Sequence, residues 1–276
     1  MKNLKVYPAV FFAFCCVAVT VVLAQRSRRQ PNYDRGDLPR WEVSPQFERD
    51  CFTFVRIKYN SDRGWGGWEK WTIDYPDSDL NFSFRLQQLT SIKTDPDGKI
   101  LELTDEALFD YPFIYIVEPG DMALSQDDVT ALRRYLLNGG FLMVDDFWGE
   151  REWENFYREI KRVFPDREAV ELPMDHPIFH AVFPLKVEKN NLQVPNIRTG
   201  TYSQHTGVTW ERSDAQEVHF RAFFDDKGRM MVMICHNTDN GDGWEREGEN
   251  EYYFREFSEK KAYPLGINIV FYAMTH

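Results

Sequence analysis

The chain has 276 residues with 33 basic and 44 acidic side chains, a formal net charge of −11. That balance excludes a basic footprint of the kind phosphate backbones require, so nucleic acid is not an expected partner. Aromatic residues make up 16% of the chain, enough for a well-packed core or an aromatic-lined cleft.

Residues 1–24 have the form of an export signal. Lys2 and Lys5 give a basic start, Val6 to Leu23 is largely apolar, and Val22-Leu23-Ala24 before Gln25 resembles a signal-peptidase site. An uncleaved anchor is the alternative, because an apolar run of about 18 residues just spans a bilayer. Arg26, Arg28 and Arg29 follow the run, as they would beside a retained anchor. The protein is therefore expected to be periplasmic or extracellular, touching the membrane only through this segment if it stays uncleaved. Residues 25–46 are polar and aperiodic and are expected to form a flexible linker. Residues 47–276 suit a single domain. Only Cys51 and Cys235 remain after cleavage; export permits a disulfide between them, and two buried thiols are the alternative.

Cys51–Tyr59 is a predicted central strand, with Arg56 and Tyr59 near its carboxyl end. The Gly- and Trp-rich stretch 61–71 follows. Trp65, Trp68 and Trp71 either close over the core or form an aromatic platform for a flat ligand such as a sugar. Asp77–Ser91 is a predicted helix, Ile100–Leu103 a short strand, and Phe113–Val117 a buried strand ending at Glu118. Ser125 and Asp128 form a capping-box pattern, with Val129, Leu132 and Leu136 on one helical face and Gly139 at its close. Phe141–Val144 is then a strand buried on both faces, and Asp145 and Asp146 stand where it ends. Ligands of open parallel sheets bind outside the carboxyl ends of strands, so the pair marks a candidate cleft. A loop capping the next helix, from Glu150 to Phe164, is the plainer account of the two aspartates. Val187–Gln216 is irregular and polar and is expected to form loops. Val218–Phe224 and Arg229–Cys235 make a predicted hairpin, and Tyr263–Met274 a closing helix.

Strands alternating with helices define an α/β protein with a mostly parallel sheet. Leu132–Asp146 (LRRYLLNGGFLMVDD), Asp175–Phe179 (DHPIF) and Pro264–Met274 (PLGINIVFYAM), in that order, resemble a bacterial family of exported domains of undefined function. That family is similar to the class I glutamine-amidotransferase-like superfamily, trehalose-utilisation type included. The resemblance covers Cys51 to His276 and implies a flavodoxin-like three-layer α/β/α sandwich. Such amidotransferases use a cysteine on a strand-to-helix elbow and a late His-x-Glu. Here Asp145-Asp146 follows the central strand, and His236 is followed by Asn237 and Thr238. Amidotransfer is therefore not expected, since thiolate chemistry needs an activated thiol.

The candidate cleft comprises Arg56, Tyr59, Trp68, Glu118, Asp145, Asp146, Trp148 and His236. Asp239, Asn240 and Asp242 are hard oxygen ligands that could hold Ca²⁺, and a solvated turn is the alternative. His176 and His180 could pair on zinc; Pro177 between them suits a short helix start instead. Two functions fit. One is binding of a polar ligand, such as a glycan, or of an envelope protein. The other is a hydrolase using Asp145, Asp146 and His236, with or without a metal.

Overall fold

The computed structural model describes residues 38–47, 50–61 and 69–276. The expected export segment, the start of the linker, Trp65 and Trp68 lie outside the described residues. Among the described residues no helix is long and apolar enough to cross a membrane. Strands β1 (Val55–Lys58), β2 (Asn60–Ser61), β3 (Lys99–Glu102), β4 (Phe113–Val117), β5 (Met122–Ala123), β6 (Phe141–Asp145), β7 (Val170–Glu171), β8 (His219–Phe224) and β9 (Met230–His236) are joined by helices and loops. β2 and β5 form a small antiparallel ribbon; the other seven make one sheet in the order β3-β1-β4-β6-β9-β8-β7.

Within that sheet β3, β1, β4, β6 and β9 run parallel, while β8 and β7 add an antiparallel edge. Counted among themselves, the parallel strands stand in the order 2-1-3-4-5, the flavodoxin-like winding, which places the topological switch between β1 and β4.

Alternation along each strand builds two cores. Phe113, Tyr115, Val117, Phe141 and Met143 face one side, while Ile114, Ile116, Leu142 and Val144 face the other. The first face is covered by helix α1 (Asp77–Leu89), through Phe82 and Leu86, and by the C-terminal helix. The second is covered by α2 (Gln126–Leu137) and α3 (Gly149–Val163), through Leu132, Leu136, Phe156 and Ile160. The result is a three-layer α/β/α sandwich. The capping box expected at Ser125 is present: its hydroxyl accepts from the Asp128 N–H at 3.1 Å, and the Asp128 carboxylate accepts from the Ser125 N–H at 2.9 Å.

Three features differ from the sequence reading. The polar stretch Val187–Gln216 contains a helix, α4 (Ile197–Thr206), capped by Asn196 and closed by Gly207 at φ 70°. The acidic loop after β9 winds at once into α5 (Asn240–Glu245). The closing helix α6 (Tyr263–Thr275) continues a π-helical run, Phe254–Ala262. The sheet also separates the cysteines. Cys51 precedes β1, Cys235 lies in β9, and β4 and β6 stand between, so no disulfide joins them. Contacts of the domain reach back into the expected linker, where Trp41 Nε1 donates to the Thr94 carbonyl at 2.8 Å.

Gly266 on α6 shows how closely the first face is packed. A Cβ there would lie 2.6 Å from Phe82 and 2.7 Å from Trp244. Gly266→Ala is expected to cost about 1–3 kcal/mol through overpacking, despite the better helix propensity of alanine. Urea unfolding checks this; an unchanged or higher midpoint would show that the layer yields.

Candidate functional site

Three neighbouring strands end in the same unusual way. The residue directly after β4 is Glu118 at φ 46°, after β6 Asp146 at φ 55°, and after β9 Asn237 at φ 62°. Asp74, in the connection leaving β1, has φ 63°. Among the described residues these are the four non-glycine positions in the left-handed region. Such backbone is sparsely populated outside glycine, and its concentration along one sheet edge marks a built site.

The surroundings hold each position in place. Arg56, fully buried on β1, donates to both carboxylate oxygens of Asp79, to Ser78 Oγ and to the carbonyls of Trp71 and Ile73. It therefore fixes the turn that presents Asp74; its direct ion pair is with Asp79, and on Asp74 it acts only through space, against the larger effects of burial, Asp242 and Glu245. Tyr59 Oη sits 2.8 Å from the carbonyls of both Val117 and Glu118 and anchors the end of β4. The Glu118 carboxylate is ion-paired with Lys70. Trp148 Nε1 donates to Asp146 Oδ1 at 3.0 Å.

Asp145 and Asp146 have separate roles. Asp145 accepts from the Asn240 N–H (2.9 Å), Asn240 Nδ2 (2.8 Å), the Gly241 N–H (3.1 Å) and Tyr115 Oη (3.2 Å). It ties the start of α5 to the sheet. Burial pushes its carboxyl up to about 7 against the pull of those bonds. Asp146 turns instead toward Asp74 and Asp239, and the three carboxylates bring oxygens within 4.8 Å of one another. Burial raises all three well above the usual carboxylate range. Glu118 and Asp74 add to the shift at Asp146, Asp146 and Asp242 at Asp239, and Asp242 and Glu245 at Asp74.

Among the described residues no lysine or arginine pairs with Asp74, Asp146 or Asp239, and the buried Oδ2 of Asp74 has no hydrogen-bond donor. Neighbouring acids in low dielectric repel, and a cation is the standard remedy. The residues expected as a calcium loop are divided. Asp239 belongs with Asp74 and Asp146, Asp242 with Asp74 and Glu245, and the Asn240 amide serves Asp145.

His236 lies at the end of β9, with Nε2 3.2 Å from the Gly149 carbonyl and Nδ1 3.3 Å from an Arg221 guanidinium nitrogen. Burial, with Arg221 beside it, pushes the imidazole down to about 3. With both ring nitrogens engaged, the neutral ring braces β9 against α3 and has no free nitrogen for proton transfer. Cys235 is buried and its thiol is pushed well up, the opposite of an activated nucleophile. His176 and His180 are also committed elsewhere: His176 accepts from the Ile178 N–H and caps the Pro177–Phe179 turn, and His180 Nε2 lies 2.8 Å from the Met174 carbonyl.

Sequence reasoning missed Asp74, Glu245 and Lys70. Asp74 sits in a turn without periodicity, and its partners follow other strands. An acidic residue in such a turn was the only local signal, since Asp and Asn tolerate left-handed backbone better than most residues.

The fold and this edge define a flavodoxin-like α/β domain with a cluster of buried carboxylates at the carboxyl ends of its parallel strands. Residues 53–274 match the family model described as "Domain of unknown function (DUF4159)", and the chain belongs to that family. No curated protein matches it.

Proposed function

We propose that this domain is an exported binder of a polar ligand, and that the direct occupant of its carboxylate cluster is a hard divalent cation held by Asp74, Asp146 and Asp239. One observation carries the reading: three buried carboxylates converge within 4.8 Å with no cationic side chain paired to them among the described residues. Three carboxylates offer oxygen ligands only, the donor set that Ca²⁺ and Mg²⁺ both take. Export is supported by the basic, apolar and Val22-Leu23-Ala24 pattern of the N-terminus. The likeness to the glutamine-amidotransferase-like superfamily is then one of scaffold, with the chemistry at the strand ends replaced.

Calcium titration of metal-free protein, followed by melting, tests the proposal. Binding to the folded state alone stabilises it by about 2.7 kcal/mol at one hundred times Kd. A melting point that rises with Ca²⁺ and returns with chelator is the expected result. Melting indifferent to millimolar Ca²⁺ and Mg²⁺ would remove the reading.

A further inference from the structure

We infer that the carboxylate cluster takes two divalent cations, the second held by Asp74, Asp242 and Glu245, with Asp74 shared between the sites. This rests on the cation reading of the first site and adds a neighbour to it. The second trio also brings oxygens within 4.8 Å of one another.

The elements that carry it are fixed independently of any ion. Asp242 and Glu245 lie three residues apart on α5, and so on one face of it. The Asp242 carboxylate accepts from the Ile197 N–H at 2.6 Å, which sets its rotamer. Asp74 is placed by the Arg56 bonds to its turn and by the Ser78 N–H, which donates to its carbonyl at 3.0 Å.

Two further observations point to a ligand. The first is the orphaned Asp74 Oδ2, in a side chain only 9% exposed. Gly241 passes so close that a Cβ there would lie 2.3 Å from this oxygen, so α5 approaches the carboxylate without offering it a donor. The second is charge. Five carboxylates make up the two trios, and among the described residues the one guanidinium paired with them is Arg246, on Asp242 and Glu245. A single divalent ion leaves that group negative, and Glu211, bonded to the Asn196 N–H, adds a further acid nearby. A second ion brings the five close to balance. Oxygen-only ligation selects Ca²⁺, Mg²⁺ or Mn²⁺ over softer metals.

Equilibrium dialysis of the full domain against Ca²⁺, with metal analysis, reads the count. Two ions per chain are expected for the native protein. Glu245→Gln, at a half-buried position, should keep one ion and weaken the other more than about tenfold. Asp74→Asn should weaken both, and circular dichroism with a melting curve confirms that each variant is folded. One ion in the native protein, unchanged by Glu245→Gln, would overturn the second site and leave the first standing. Two ions that both survive Glu245→Gln would overturn the assignment to this trio. No ion at all would overturn both readings.

Discussion

Arg56→Ala is expected to lower folding stability by about 3–5 kcal/mol, the cost of breaking a buried ion pair from one side. The guanidinium is fully buried and makes bonds to Asp79, Ser78, Trp71 and Ile73. Its removal leaves the Asp79 carboxylate buried with one hydroxyl donor, from Ser78, and strips two carbonyls of their partner. The same bonds hold the turn that presents Asp74, so the response to cations should disappear together with the stability. Arg56→Lys should not rescue either property, because an ammonium cannot reproduce the fork that reaches four groups. Urea unfolding measures the loss. A change below about 1 kcal/mol would mean that the turn is held by other contacts.

Asp145→Ala is expected to cost about 3 kcal/mol or more, measured near pH 5. Four donors lose their acceptor at once: two backbone N–H groups opening α5, the Asn240 amide and Tyr115 Oη. Each orphaned buried donor costs about 1–3 kcal/mol. The pH matters because this carboxyl, at about 7 when folded, lies above its unfolded value of 3.8. Its neutral form favours folding below the unfolded pKa, and that contribution is lost as pH rises through 7. The alanine variant should therefore compare least badly with the native protein at alkaline pH. A penalty that grows from pH 5 to pH 8 would contradict the assignment of Asp145 as a buried tie.

Much of the fold was legible because its strands are short, apolar and closed by recognisable signals. Phe113–Val117 and Phe141–Val144 read as buried strands and are so, the second running one residue further, to Asp145. Ser125, Asp128 and Gly139 mark the helix between them through local chemistry alone. Helix α4 escaped because its sequence is polar and little of it is buried; Asn196 and Gly207 were its remaining signals. The site was less legible than the fold. The two aspartates look equivalent in sequence, yet Asp145 shares the face of Phe141 and Met143 while Asp146 leaves the strand through left-handed backbone. Asp74 and Glu245 join the cluster through tertiary contacts that periodicity cannot encode, and Arg56 belongs to the frame that supports the cluster.

The most direct measurement is the melting of metal-free Asp146→Asn beside the native protein at pH 8, with and without Ca²⁺. Asparagine keeps the oxygen that accepts from Trp148 Nε1 and tolerates φ 55°, so little but the charge is removed. The Asp146 carboxyl is raised above its ordinary 3.8 by burial and by Glu118 and Asp74. Its neutral form therefore favours folding below that value, and the advantage is lost as pH rises. At pH 8 the asparagine variant should melt higher than the native protein without Ca²⁺, by about 1–2 kcal/mol, and the gap should close toward pH 4. Added Ca²⁺ should raise the native melting point, and raise that of the variant less, through the trio of Asp74, Asp242 and Glu245 that the substitution leaves intact. A variant that melts lower than the native protein, with Ca²⁺ moving neither, would show Asp146 to be a structural cap and the carboxylate cluster to hold no cation.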